Sequence, residues 1–139
     1  MSEPFRDLLA RRRFTKVFEH YDDRHFGNEE LVYASPEMSL KFVRDRSEIS
    51  LDVGLPDGSS WYMAPRLLEY LKVADDLYGP ADATLLRRQA TLIDQTYEVI
   101  ADLFRPENIA ASQDELRKFW KKKAEEMFPR DDVSEYGPH

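Results

Sequence analysis

The chain has no cysteine. That absence removes disulfide staples, thiol nucleophiles and cysteine-ligated zinc. Histidine is scarce too, with three in 139 residues, which leaves few general bases for work near neutral pH. No apolar run approaches the roughly 20 residues that a membrane-spanning helix needs. Met1-Ser2-Glu3-Pro4 lacks the basic, apolar and small-residue regions of a secretory signal, so a cytoplasmic location is expected. Positive charge is also in short supply: 20 Lys and Arg face 27 Asp and Glu, a net charge of −7. A general nucleic-acid binder needs clustered positive charge to displace counterions, and a polybasic membrane-surface protein needs the same. Both classes are disfavoured. There is no G-x-S-x-G elbow, P-loop, G-x-G-x-x-G or H-E-x-x-H. No catalytic residue, metal or cofactor is therefore assigned, and no internal repeat or low-complexity tract is found.

Apolar residues make up 42% of the chain and aromatics 12%, enough for a packed core in a single domain. We expect one α+β domain over residues 1–129 and a polar, frayed tail over 130–139.

The densest signal lies between Leu31 and Val53. Met38, Leu40 and Phe42 alternate with Ser39 and Lys41, and Ile49, Leu51 and Val53 alternate with Ser50 and Asp52. Strand side chains alternate faces, so each apolar set lies on one side. Ser35-Pro36-Glu37-Met38 suits a type I turn, with Pro at i+1. That turn sets Tyr33 opposite Leu40 and Leu31 opposite Phe42. A four-residue loop at Arg44-Asp45-Arg46-Ser47 would set Phe42 opposite Ile49, Leu40 opposite Leu51 and Met38 opposite Val53. The absence of Gly and Asn there disfavours a two-residue turn. Eight residues (Leu31, Tyr33, Met38, Leu40, Phe42, Ile49, Leu51 and Val53) then share one face that other elements must cover.

Around this sheet the pattern is helical at both ends. Residues 4–12 read as a short helix with a break near residue 13, and alternation predicts a first strand at 15–21. Trp61-Tyr62 precede a helix opened by Pro65, with Tyr78-Gly79-Pro80 closing the segment. One long helix is expected over 82–104, ended by Arg105-Pro106. A last helix is expected to start from a capping box, Ser112-Gln113-Asp114-Glu115, and to stop at Pro129. The fold class is α+β: an N-terminal helix, an antiparallel meander of three to four strands, then about three helices packed on one face of the sheet.

Candidate sites are few. His20-Tyr21-Asp22-Asp23-Arg24-His25 carries metal-ligating residue types, but without a known ligand spacing, and the solvated-loop reading is preferred. Lys118 and Lys121-Lys122-Lys123 with Arg117 make a locally basic helix, read as a solvated face with i+4 partners Glu125 and Glu126. Trp61-Tyr62 are read as a staple to the core rather than a ligand platform. Asp75-Asp76 and Asp131-Asp132 are read as exposed. Arg44-Asp45-Arg46 is read first as a hairpin tip kept soluble by charge, with Asp45 stabilising the turn, yet its charge exceeds what a turn needs and exposed loops often bind partners. These three residues are the expected partner-binding site.

The run Leu31-Val32-Tyr33-Ala34-Ser35-Pro36, then Leu40-Lys41-Phe42-Val43-Arg44-Asp45-Arg46, then Leu51-Asp52-Val53, resembles small uncharacterised bacterial proteins over residues 26–72. Some proteins of this layout are thought to be immunity proteins beside polymorphic toxins. The resemblance implies a fold and a class of partner and transfers no functional residue. The expected function is a non-enzymatic protein-binding module, of the immunity type, with a protein partner and without nucleic acid or membrane. The oligomeric state is left open. The alternative is a small enzyme or metabolite binder with a pocket between sheet and helices, its polar lining drawn from Arg44, Arg66, Arg87 and Arg88.

Overall fold

The alternating runs pair into an antiparallel meander in a computed structural model that describes residues 5–22, 28–45, 48–78 and 82–127. The strands are β1 (Thr15–Asp22), β2 (Asn28–Ala34), β3 (Ser39–Asp45), β4 (Glu48–Gly54) and β5 (Trp61–Met63), in that spatial order. The helices are α1 (Arg6–Arg11), α2 (Ala64–Tyr70), α3 (Ala83–Gln95), α4 (Tyr97–Leu103) and α5 (Ile109–Met127). The chain divides into two compact units at Arg105/Pro106. The sheet and α1–α4 belong to the first, and α5 to the second.

The apolar face forms as the alternation predicts. Leu31, Met38, Leu40, Phe42, Leu51 and Val53 are all buried, while Tyr33 and Ile49 are half-buried. Phe5, just ahead of α1, meets Phe42 edge-on at 4.6 Å. Leu67 and Leu68 of α2, Leu86 and Ile93 of α3, and Ile100 of α4 are among the buried residues that join them. Burial of each such side chain contributes roughly 1.5–3 kcal/mol, and together they hold the helical layer.

Helices α1 and α2 both end without glycine. Beyond α1, Arg13 takes φ 62°, and Phe14 N–H donates to Leu9 O at 2.9 Å. Beyond α2, Lys72 takes φ 61°, and Val73 N–H donates to Leu68 O at 3.0 Å. Each pattern closes a helix through a left-handed residue. It explains the phase change at residue 13, and it stops α2 well before Tyr78-Gly79-Pro80.

Five expectations are corrected. First, β2 and β3 pair as read, with Tyr33 opposite Leu40 and Leu31 opposite Phe42, but β3 and β4 pair two residues further along. Phe42 meets Leu51, Leu40 meets Val53, and Arg44 meets Ile49. A slide of two leaves every side chain on its own face, so burial does not distinguish the two registers. The longer ladder adds the pairs Arg44–Ile49 and Asp45–Glu48. Second, the strands among the described residues number five, because Trp61–Met63 pairs with Asp52–Gly54 of β4 instead of merely leading into α2. Third, the helix expected over 82–104 breaks at Thr96, whose Oγ1 donates to Leu92 O at 2.6 Å. Such back-bonding bends helices. Fourth, four helices follow the sheet among the described residues. Fifth, α5 starts at Ile109, with Ser112 N–H donating to Asn108 O at 2.9 Å. Ser112 is thus a buried residue within the helix and not its cap.

Candidate functional site

β3 carries the expected site at its C-terminal end. Arg44 sits between Glu29 on β2 and Ile49 on β4, while Asp45 is the last residue of the strand. Arg46 lies outside the described residues. Register brings further groups to this end of the sheet: His20 pairs with Glu30, and Glu30 with Val43. The result is a concavity of about 350 Å³ lined by His20, Asn28, Glu29, Glu30, Val43, Arg44 and Asp45. Every lining residue comes from β1, β2 or β3.

The electrostatics of this end are mixed. Arg44 Nη2 lies 3.9 Å from Glu29 Oε1, at the outer limit of an ion pair. Lys41 Nζ lies 4.0 Å from Glu30 Oε1 and 4.5 Å above the Trp61 ring, a cation–π distance. The Arg44 Nε–H is shielded from solvent and has no hydrogen-bond partner among the described residues. A shielded, unmade donor of this kind costs roughly 1–3 kcal/mol.

The remaining sequence candidates are scattered. His20 lines the tip, but Asp23, Arg24 and His25 lie outside the described residues, and no metal-binding group of His, Asp and Glu occurs among the described ones. Arg117 and Lys118 in α5 pair back onto Asp114 at 3.2 and 3.0 Å. Trp61 and Tyr62 are half-buried, Tyr62 stacking on Phe104 at 5.9 Å. Asp75 and Asp76 are exposed, and Asp76 bonds Arg88 at 2.7 Å. That hydrogen bond holds the Asp76 carboxyl below its ordinary range. Asp131 and Asp132 lie outside the described residues.

Arg66, Arg87 and Arg88 do not join Arg44. A second cavity, of about 400 Å³, is lined by Asp7, Leu8 and Arg11 of α1 and by Ala90, Thr91, Asp94 and Gln95 of α3. The two cavities are thus lined by strands alone and by helices alone, and neither lies between the sheet and its helical layer.

Two features escaped the sequence reading. One is a polar junction behind the Ser35 turn. Tyr97 Oη lies 2.7 Å from Ser35 Oγ and donates to Glu37 Oε2 at 2.7 Å. The Arg12 guanidinium stacks 4.5 Å over the Tyr97 ring. Its Nε donates to Asp94 Oδ1 at 2.9 Å, and its Nη2 donates to the Asp94 carbonyl at 3.0 Å. That carbonyl lies at the end of α3, where a cation complements the helix dipole. Burial pushes the Tyr97 phenol up to about 12, with the Glu37 carboxylate adding to the rise. The junction is structural, since its groups satisfy one another. The second feature is the outer edge of β1, where every residue from Thr15 to Tyr21 is exposed. The Val-Phe and Tyr of that run signal a strand, and only the sheet order shows that the strand has one neighbour.

No helix among the described residues is long and apolar enough to cross a membrane. Comparison of the chain with protein-family models, with curated proteins and with solved structures finds no match.

Proposed function

We propose that the protein is a non-enzymatic, cytoplasmic protein-binding module of the bacterial immunity type, and that it meets its partner with the β3–β4 end of the sheet. One observation carries the reading: Arg44 and Asp45 line a tip concavity beside Glu29 and Glu30, and the Arg44–Glu29 ion pair there is long, at 3.9 Å. A carboxylate of the partner pairs with the Arg44 guanidinium, while Glu29, Glu30 and Asp45 receive basic side chains beside it. The net charge of −7 supports the same reading, because an acidic protein is steered towards a basic surface. The resemblance over residues 26–72 supports an inhibitor of a toxin as the specific role. The enzyme or metabolite-binder alternative draws no support from either cavity.

The test places a photoreactive side chain at position 45 and cross-links in the cells of origin. One protein should be captured in stoichiometric yield, and Arg44→Glu should lower its recovery at least tenfold with the fold intact by circular dichroism. Absence of any cross-linked protein, or equal recovery by Arg44→Glu, refutes the proposal.

A further inference from the structure

The two edges of the sheet are unequal. β5 has three residues, and short edge strands are poor templates for pairing. β1 has eight, and three of its large apolar side chains stand in solvent: Val17 at 60%, Phe18 at 48% and Tyr21 at 55% exposure. Ser35 N–H donates to Met38 O at 2.8 Å, which makes Ser35–Met38 a bonded pair. Counting by twos, the backbone of Tyr33 and Leu31 faces β3, and that of Val32 and Glu30 faces β1. These two pair with Phe18 and His20. The backbone groups of Glu19 and Tyr21 therefore point away from β2, and among the described residues no strand lies there.

The charge along β1 is polar in the chain direction. Arg13 and Lys16 stand at the start, and Glu19 follows. In a regular strand, positions 16 and 19 would lie on opposite faces. Here the β1–β2 register shifts between Lys16 and Phe18, so the extra residue, Val17, brings Lys16 and Glu19 to the same face. They form an ion pair within the chain. A strand with a cation and an anion on one face, three positions apart, is complementary to its own antiparallel copy.

We infer that the protein forms a two-fold dimer in which β1 pairs antiparallel with β1 of a second copy, extending the sheet to ten strands. In that register Lys16 of each copy faces Glu19 of the other, Val17 faces Phe18, and Thr15 faces His20. Each pair lies on matching faces, as a self-complementary two-fold interface requires. The inference rests on the free edge and not on the tip, so it stands or falls separately from the function proposed above.

Sedimentation of the full chain from about 1 to 500 µM tests it. The wild type should show a reversible monomer–dimer equilibrium. Lys16→Glu and Glu19→Lys should each weaken dimerisation at least tenfold, because each makes the facing pair like-charged. An equimolar mixture of the two variants should restore association. In the mixed dimer, two carboxylates of one chain face two ammonium groups of the other. Restoration by mixing is a result that the ion pair within one chain does not produce. Both substitutions are at exposed positions, and circular dichroism checks that the fold is retained. A wild type that stays monomeric overturns the inference. So do variants that associate like the wild type. A monomeric wild type whose Glu19 and Tyr21 amides gain hydrogen-exchange protection only with a foreign protein also overturns it, and assigns the edge to that protein's strand.

Discussion

The two ends of β3 are held by opposite means. At its start, the Ser35 turn is anchored by buried Ser35 and Met38 and is over-determined. Ser35 Oγ accepts from the Glu37 and Met38 amides at 3.3 and 3.2 Å, and Tyr97 ties it to α4. Ser39 Oγ donates to Pro56 O at 3.1 Å, and Gly54, opposite Ser39, is covered by Trp61. At its end, Asp45 is exposed and Arg44 keeps an unmade donor. One end of a single strand is committed to the fold, and the other carries the residues proposed to meet a partner. The contrast sets a position that stabilises beside the proposed recognition position, and it is open to direct tests.

The largest effect should come from Gly54→Ala. A Cβ there would lie 2.5 Å from both Ser60 O and Trp61 Cε3. One neighbour is backbone, so the β4–β5 connection itself must shift. Overpacking of this kind costs about 1–3 kcal/mol, and the upper half of that range is expected. Urea unfolding checks it: the midpoint should fall with the slope unchanged. A variant as stable as the wild type would show that this end is less tightly determined than the contacts imply.

Next in size is Tyr97→Phe, which leaves Ser35 Oγ and Glu37 short of a partner and should cost about 1–2 kcal/mol. The phenol also predicts a pH dependence. Its folded value is about 12, against 10.0 for the free group, chiefly because burial disfavours the phenolate. Between those values the unfolded chain has lost a proton that the folded chain retains. The contribution is therefore complete below pH 10 and is lost as pH rises towards 12. Phenolate absorbance should show late titration from Tyr97 that is lost in Tyr97→Phe, beside the upward shift that burial gives Tyr78. A late component unchanged in Tyr97→Phe would contradict the buried junction.

The same contrast explains what the sequence made legible. The Ser35 turn was readable because Ser-Pro pins a turn locally, and the β2–β3 register followed from it. The β3–β4 register was misread because a two-residue slide keeps faces unchanged and no Gly or Asn marks the tip. The apolar stripe runs straight through Thr96, so periodicity alone did not show the break; Thr96 Oγ1 bonds Leu92 O there, yet Thr91 Oγ1 bonds Arg87 O without breaking α3. β5 spans three residues and exists only through its partner strand. For the site, the charge of Arg44 and Asp45 exceeded the needs of a turn and was visible. His20, Glu29 and Glu30 join them only through strand pairing, which no local pattern reports. The Tyr97 junction unites residues 12, 35, 37, 94 and 97, and separations that long leave no local signature.

The smallest stability effect should come from the tip. Arg44→Ala removes a distant ion pair with Glu29, 3.9 Å away, which contributes at most about 1 kcal/mol. It also removes a shielded donor that had no partner, and losing an unsatisfied group is favourable. The two effects oppose, so Arg44→Ala should change stability by less than about 0.5 kcal/mol in urea unfolding. That near-neutrality is informative only beside the Ser35 end, where Tyr97→Phe removes a single hydroxyl at a larger cost. If Arg44→Ala instead destabilises by as much as Tyr97→Phe, Arg44 is a structural residue like those around Ser35. The two ends of β3 would then do the same job, and the case for a recognition site at the tip would fail on stability grounds alone.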